Sequence, residues 1–115
     1  MKKVLVVEDD PPIRQLVVNI LVDAGYEVAA APDGEVGLER CAQFQPDLVL
    51  LDLAMPNVDG FEFLRRRSCA APIVVMSAGF HRQKLGPDAP VRAFVDKPFS
   101  IDELIRVVES SLTYN

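Results

Sequence analysis

Five polar residues that could take part in chemistry lie at or just beyond the ends of apolar runs. They are Glu8, Asp9, Asp52, Ser77 and Lys97. Asp52 has the clearest setting, because it follows four apolar residues at 48–51 and precedes the turn-forming sequence MPNVDG. Open α/β sheets bind ligands outside the carboxyl ends of their strands, which is where such a carboxylate would lie. Asp52 is therefore the candidate active residue.

The apolar runs that position these residues predict the strands of a parallel sheet. Residues 4–7 and 48–51 show no polar alternation, which is typical of strands buried on both faces. A weaker strand of small residues is predicted at 27–31, and further strands are predicted at 73–76 and 91–95. Helical patterns separate the strands. This alternation predicts a single α/β domain over residues 1–115, a doubly wound (βα)5 three-layer sandwich with a parallel five-stranded sheet in the order 2-1-3-4-5.

The helices are predicted from apolar residues at helical spacing and from residues that favour helix ends. The first and last helices have the clearest apolar stripes. Those stripes are Ile13, Leu16, Val17, Ile20 and Leu21, and Ile101, Leu104, Ile105, Val108 and Leu112. Asp10 is a predicted N-cap, and Ser100 with Glu103 forms a predicted capping box. Residues 79–90 contain two glycines and two prolines, so any helix there should be short or broken.

In the predicted strand order the ends of the first and third strands are neighbours, which brings Glu8, Asp9 and Asp52 into one crevice. Three carboxylates so close require a bound proton or a cation. An all-oxygen site with room for water favours Mg²⁺. Lys97 adds a positive charge and Ser77 adds a hydroxyl donor. This set of groups suits the stabilisation of phosphoryl oxygens during phosphoryl transfer.

With these residues in place, the sequence resembles the receiver domains of two-component response regulators from about residue 3 to residue 112. The matching segments are VLVVEDD, DLAMPNVDG, VVMSA and VDKPF, which occur in this order along the chain. Each segment is weak evidence alone, but together they are specific because all of them fall at strand ends. The resemblance implies the flavodoxin-like fold and a phosphorylation-activated switch.

The resemblance also implies a role for each residue of the crevice. Asp52 would accept the phosphoryl group, and Asp9 would bind Mg²⁺ directly. Glu8 would bind Mg²⁺ through water, and the backbone carbonyl of Ala54 would be a further ligand. Lys97 would pair with the phosphoryl group, and its bond to Pro98 is cis in that family.

The resemblance also assigns two residues to the conformational switch by which receiver domains respond to phosphorylation. Ser77 would supply the switch hydroxyl, and Phe94 would be the switch aromatic residue. The resemblance implies a sensor histidine kinase or a histidine phosphotransfer protein as the phosphoryl donor. A downstream protein partner, which the sequence does not identify, would bind the last strand and the final helix.

Two other functions remain open at this point. An aspartate-nucleophile, Mg²⁺-dependent phosphohydrolase would also place its nucleophile after a buried strand, but it usually has a second acid at the position of Ala54. A receiver that is never phosphorylated and serves only for docking is the other alternative. The intact Glu8, Asp9, Asp52 and Lys97 argue against it.

Composition narrows the class of protein further. The net charge of −5 argues against direct binding to nucleic acid or to anionic membranes. No apolar run approaches the about 18 residues of a membrane span. We therefore expect a cytoplasmic protein with Cys41 and Cys69 as reduced thiols.

No output domain follows the predicted receiver domain. Either the receiver domain acts by binding a partner, or these residues come from a longer chain.

Overall fold

Five strands and four helices are present in the residues that the computed structural model describes, which are 1–53, 60–77 and 91–113. In chain order they are β1 (Lys3–Val7), α1 (Pro11–Asp23), β2 (Glu27–Ala31), α2 (Gly34–Phe44), β3 (Leu48–Asp52), α3 (Gly60–Arg66), β4 (Ile73–Ser77), β5 (Ala93–Asp96) and α4 (Ile101–Thr113). The sequence predicted at most a short or broken helix at 79–90, and this segment lies outside the described residues, as does Ala54.

All five strands are parallel and form one sheet in the order β2-β1-β3-β4-β5. The predicted fold and strand order are confirmed. The register pairs Val7 with Leu51 and Asp52 with Met76, so the strands end at one edge. Ser77 pairs with Asp96 at the same edge.

The sheet divides the core into two apolar layers, because successive residues of a strand point to opposite faces. On one face, Val4 and Val6 pack with α1 and α4. On the other, Leu5 and Val7 pack with α2 and α3, where Phe63 is the largest fully buried side chain. The three central strands are buried on both faces, which explains their unbroken apolar runs.

The helix ends agree in part with the sequence. Asp10 is the N-cap of α1 and Pro11 occupies its first turn, but among the described residues the Asp10 side chain accepts no capping hydrogen bond. Gly25 follows α1 with a φ of 98°, a conformation that favours glycine. The Ser100 hydroxyl accepts a hydrogen bond from the Glu103 backbone N–H at 3.0 Å, which is one half of the predicted capping box.

The predicted apolar stripes of the outer helices are only partly buried. Val17, Ile20 and Leu21 of α1 lie in the core. Leu16 and Ile101 are instead exposed, at 49% and 55%. Helical spacing defines an apolar face, but the width of the surface available on the sheet decides which residues of that face are covered. None of the helices in the three described ranges is both long and apolar enough to cross a bilayer.

The prediction of reduced thiols is wrong, because Cys41 and Cys69 form a disulfide. Their Cα atoms are 5.8 Å apart, within the normal range for a disulfide, although 28 residues separate them in sequence. Cys41 is on the buried face of α2, and Cys69 lies between α3 and β4. The spacing excluded a local cysteine motif, but only the packing of α2 on α3 brings the two sulfurs together.

Candidate functional site

The carboxyl edge of the sheet brings together the residues that the sequence predicted for the site. Glu8 and Asp9 directly follow β1, and Asp52 is the last residue of β3. Ser77 ends β4, and Lys97 is the first residue after β5. The backbone N–H of Lys97 donates to the Ser77 carbonyl at 3.0 Å, which continues the sheet to this edge.

Three carboxylates form an acidic cluster at this edge, with one oxygen each from Glu8, Asp9 and Asp52 lying within 4.8 Å of one another. Glu8 is fully buried, Asp52 is 5% exposed and Asp9 is half-buried. Buried carboxylates at this spacing repel one another strongly, so their charge must be offset. The cluster therefore has the composition and spacing of a site for a small divalent cation.

Lys97 supplies a positive charge to the same cluster. Its Nζ lies 2.6 Å from Glu8 Oε1 and 3.5 Å from Asp52 Oδ2, and 22% of its side chain is exposed. The Lys97–Pro98 peptide bond is cis, as the resemblance implied. The ammonium group thus contacts both carboxylates while part of its side chain still faces solvent.

The pKa values of Glu8 and Lys97 are both shifted at this site. Burial, together with the hydrogen bond and repulsion from Asp52, outweighs the attraction of Lys97 and raises the pKa of Glu8 from 4.5 to about 7. Burial alone would lower the pKa of Lys97, but its hydrogen bond to Glu8 and the attraction of both carboxylates raise it. One ammonium group therefore does not fully offset the acids around it.

Arg14 is a residue of the site that the sequence reasoning missed. Its Nη1 donates to the Glu8 backbone carbonyl at 3.0 Å, and the Asp10 N–H donates to Glu8 Oε2 at 3.2 Å. Both bonds hold the turn that carries Asp9. The position of Arg14 in the sequence could have indicated this role. Arg14 lies in the first turn of α1, where the helix dipole disfavours a cation unless the cation has another partner.

Gly60, which the sequence suggested only as a turn residue, is required for a close approach of two backbones. Its N–H donates to the Leu53 carbonyl at 3.1 Å. A Cβ atom at this position would lie 2.5 Å from Leu53 Cα and 2.7 Å from the Asp52 carbonyl oxygen. The start of α3 is thus packed directly against the backbone that carries Asp52.

Ser77 and Phe94 occupy the same face of the sheet. Phe94 pairs with Val75, two residues before Ser77, and packs half-buried against the layer under α2 and α3. Ser77 is 2% exposed. Because side chains two residues apart in a strand share a face, Phe94 lies diagonally behind Ser77.

An apolar groove adjoins Lys97 on the outside of the molecule. It has a volume of about 320 Å³, and the described residues that line it are Ile13, Leu16, Lys97, Pro98 and Phe99. The exposed Leu16 side chain of α1 therefore forms one wall of an open surface beside the acidic cluster.

Comparison with known proteins identifies the family of this chain. The model of the response regulator receiver domain matches residues 4–109, so the chain belongs to the response regulator receiver family. It is 37% identical over 119 aligned positions to the DNA-binding dual master transcriptional regulator RpaA of Synechocystis, covering 97% of this chain and 49% of that protein. The chain spans about half the length of the curated relatives it matches.

Solved structures give the same fold. The response regulator TrrA of Thermotoga maritima, in complex with Mg(2+)-BeF, is 35% identical with a TM-score of 0.86, covering 97% of this chain and 100% of that one. The chemotaxis protein CheY4 of Vibrio cholerae is 31% identical with a TM-score of 0.84, covering 97% and 99%. The chain is thus a receiver domain of the kind used in two-component systems, in which response regulators pair with histidine kinases.

Proposed function

We propose that this domain is a switch that accepts a phosphoryl group on Asp52 from a sensor histidine kinase or a histidine phosphotransfer protein. The observation that carries the proposal is the contact between Asp52 and Lys97, 3.5 Å apart, beside the acidic cluster of Glu8 and Asp9. The Asp52 side chain is only 8% exposed, so it is held in one environment while remaining reachable from the crevice.

The acidic cluster fits Mg²⁺, with Asp9 and Asp52 as the direct carboxylate ligands. Both Glu8 oxygens already have partners, since Oε1 contacts Lys97 and Oε2 accepts from the Asp10 N–H. These contacts favour binding of Glu8 through water. When bound, Mg²⁺ would offset the charge of the carboxylates and of the phosphoryl oxygens. The proposed carbonyl ligand, Ala54, lies outside the described residues.

Phosphoryl transfer at this site requires mainly positioning and positive charge. An Asp52 oxygen forms a bond to phosphorus as the P–N bond of the donor's phosphohistidine breaks. The imidazole nitrogen keeps the electron pair of that bond and then takes a proton from solvent. The Lys97 ammonium, already beside Asp52, pairs with the developing negative charge on the phosphoryl oxygens.

The donor protein would dock over the groove beside Lys97. That groove is apolar, is open to solvent and includes the exposed Leu16 of α1. A partner helix seated there would lie next to the crevice, so its phosphohistidine could reach Asp52. This placement supports a protein donor rather than a small substrate enclosed by the domain.

We propose that the signal leaves the site through Ser77 and Phe94. A phosphoryl group on Asp52 would offer the Ser77 hydroxyl a charged acceptor, worth about 1.5–3 kcal/mol. Because Phe94 lies diagonally behind Ser77 on the same face, movement of Ser77 changes the space available to the ring. Such an energy shifts a two-state equilibrium about ten- to a hundredfold, enough to change partner binding at β5 and α4.

The next proposals concern the domain organisation of the chain, its place in the cell and its contact with nucleic acid. We propose that residues 1–115 form one receiver domain without an output domain among them, and that the domain acts in the cytoplasm, where kinases find ATP. The net charge of −5 disfavours direct contact with nucleic acid by this domain. The relatives described as DNA-binding are about twice as long as this chain.

Incubation with Mg²⁺ and acetyl phosphate, followed by mass measurement of the intact protein, tests the proposal. We expect one phosphoryl adduct that is labile to hydroxylamine, and no adduct on Asp52→Asn. Asp47→Asn is a matched control at the other end of the same strand, where Asp47 accepts the Lys3 N–H at 2.8 Å. It should label as the wild type does.

Other results would support one of the alternative functions. Rapid turnover of acetyl phosphate without a lasting adduct would indicate a phosphohydrolase. No reaction at all would indicate a receiver used only for docking. Labelling that persists in Asp52→Asn would rule out Asp52 as the acceptor.

A further inference from the structure

The Cys41–Cys69 disulfide has no part in the proposed phosphoryl transfer. These are the two cysteines of the chain, and they are bonded to each other. Cytoplasmic reductants keep most thiols reduced, so the disulfides that do form in the cytoplasm are usually transient and serve catalysis or redox sensing. In the proposed cytoplasmic setting, this disulfide is therefore expected to be reversible.

The fold does not need the disulfide in order to form. A domain of 115 residues buries enough apolar surface to be stable without a cross-link. The layer around Cys41 also includes the fully buried side chains of Leu51, Phe63 and Val75, whose packing does not involve the S–S bond. Both the oxidised and the reduced chain should therefore be folded, as a redox switch requires.

The two cysteines differ in their exposure. Cys41 lies in α2 and is fully buried. Cys69 is half-buried in the segment between α3 and β4, and its neighbours Ser68 and Ala70 are exposed. In thiol–disulfide exchange a thiolate attacks one of the two sulfurs, so the rate depends on access to that sulfur. Attack from solvent is therefore expected at Cys69.

The disulfide closes a loop of the chain that includes β3 and α3. Asp52 ends β3 and so lies inside this loop, which spans 28 residues. The helix that carries Cys41, α2, packs closely on α3, because a Cβ at Gly37 of α2 would lie 3.1 Å from the Phe63 ring. The cross-link therefore ties the segment that follows α3 to the helix on which α3 packs.

The helix α3 depends on its contacts with the rest of the domain. It has seven residues, fewer than an isolated helix needs to be stable. Its first residue, Gly60, donates its N–H to the Leu53 carbonyl at 3.1 Å, directly after Asp52, and Phe63 is fully buried. Beyond its other end, the disulfide adds a covalent link. Reduction should therefore loosen α3 without removing it from the sheet.

We propose that Cys41 and Cys69 form a reversible redox switch, opened by a dithiol protein and closed by the disulfide form of such a protein. The state of the switch sets how firmly α3 is held against the strand that carries Asp52. The inference rests on the proposed cytoplasmic setting, but it holds whether or not Asp52 is phosphorylated.

Opening proceeds by successive exchange steps in which electrons and protons balance. A thiolate of the dithiol protein attacks the Cys69 sulfur, and the bond between Cys41 and Cys69 breaks. The Cys41 sulfur leaves with the electron pair and takes a proton, because a thiolate buried among apolar groups is unfavourable. The second thiolate of the reductant then attacks the reductant's own sulfur in the mixed disulfide, which releases Cys69 to take a proton. The cysteine pair is thus reduced by two electrons, and the reductant becomes a disulfide.

Equilibration of the whole chain with thioredoxin, a dithiol protein, tests reversibility. Reduced and oxidised thioredoxin are mixed at set ratios, free thiols are alkylated, and the mass of the intact chain gives the reduced fraction. We expect half reduction at a ratio within about 100-fold of one, because the potential of thioredoxin lies within the cytoplasmic range. A ratio outside those limits would mean a pair that the cytoplasm keeps permanently oxidised or permanently reduced, and it would overturn the proposal.

Single-cysteine variants test the point of attack. Cys41→Ala leaves only the Cys69 thiol, and Cys69→Ala leaves only the Cys41 thiol. With an aromatic disulfide reagent and no denaturant, Cys69 should react at least about tenfold faster than Cys41. In urea the two variants should react equally, because the fold causes the difference. Equal rates without denaturant, or a faster reaction of Cys41, would contradict the assignment.

Amide hydrogen exchange of oxidised and reduced wild type measures the effect on α3 and requires no substitution. Reduction should speed exchange by about tenfold or more at Gly60 and Arg67, whose N–H groups are hydrogen-bonded at the start of α3 and just beyond its end. The amides of Ala24 and Leu104, beside α1 and in α4 on the other face of the sheet, are controls. The reductant should change none of these rates in Cys69→Ala.

These measurements need neither Mg²⁺ nor acetyl phosphate, so their failure would leave the proposal for Asp52 standing. Absence of labelling at Asp52 would likewise leave the redox switch standing. Unchanged exchange at Gly60 and Arg67 on reduction would overturn the control of α3. Equal acceleration at all of the measured amides would show general destabilisation, and it too would overturn the proposal.

Discussion

Replacing Gly60 with alanine would place a methyl group against the backbone that ends β3. The added Cβ would lie 2.5 Å from Leu53 Cα and 2.7 Å from the Asp52 carbonyl oxygen. Carbon atoms in contact are normally about 3.5–4.0 Å apart, so the backbones of α3 and β3 must separate by about 1 Å. No flexible side chain can absorb this movement, because both contacted atoms belong to the main chain.

The expected loss of stability follows from two opposing effects. Overpacking typically costs about 1–3 kcal/mol, and a contact this short with backbone atoms should lie at the upper end. Alanine favours a helix over glycine by up to about 1 kcal/mol. We therefore expect Gly60→Ala to lower the unfolding free energy by about 2 kcal/mol.

The functional effect should be larger than the effect on stability. The displaced backbone carries Asp52, and a 1 Å misplacement of a reacting group can cost about 100-fold in rate. We expect Gly60→Ala to slow labelling by acetyl phosphate to about that extent. The measurements are urea denaturation and the rate of adduct formation under conditions in which both proteins are folded.

Gly37→Ala is the matched control. A Cβ at Gly37 would meet only side-chain atoms, at 3.1 Å from the Phe63 ring and from both Val7 methyl groups. These atoms can yield by a few tenths of an ångström, and the helix preference of alanine offsets the cost. We expect a change in stability within about 1 kcal/mol and an unchanged labelling rate. Equal labelling rates in wild type and Gly60→Ala would refute the positioning role of Gly60.

Three further predictions follow from single contacts of the structure. Because burial raises the pKa of Glu8 to about 7, the folded metal-free protein retains a proton that the unfolded chain loses above 4.5. Its unfolding free energy should therefore fall by about 2–3 kcal/mol as the pH rises from 4.5 to 7, and urea denaturation of Glu8→Gln should lack this loss. Arg14→Gln removes the donor to the Glu8 carbonyl and should weaken Mg²⁺ binding about tenfold in a calorimetric titration. Reducing the disulfide, which spans 28 residues, should lower the unfolding free energy by about 3–4 kcal/mol in wild type and have no effect on Cys69→Ser.

Each of these predictions has a result that would contradict it. Parallel pH profiles for wild type and Glu8→Gln would show that another group controls the stability. Arg40→Gln removes a similar bond to a backbone carbonyl, that of Ala30 at 3.2 Å, away from the acids. Equal Mg²⁺ affinities for Arg14→Gln and Arg40→Gln would therefore count against Arg14. Sensitivity of Cys69→Ser to reductant would mean that the disulfide is not the group affected.

The sequence by itself determined the strands, their order and the edge where the polar residues meet. A strand buried on both faces must be apolar at every position, so the runs at 48–51 and 73–76 stood out against the helical patterns between them. When strands and helices alternate along a chain, each helix connects two parallel strands of the sheet. Because such connections are nearly always right-handed, few strand orders remain possible. Acids placed directly after two such strands then had to lie close together.

Other features were decided only by the tertiary structure, because they depend on how closely separate elements approach. Periodicity showed that Leu16 belongs to an apolar face, but the sheet and α4 leave it exposed. Composition treated Cys41 and Cys69 as separate thiols, and the packing of α2 on α3 joined them. The raised pKa of Glu8 likewise depends on full burial between Asp52 and Lys97, residues that lie 44 and 89 positions further along the chain. Sequence patterns report the local environment that each residue favours, whereas distances between elements are fixed only when the whole core packs.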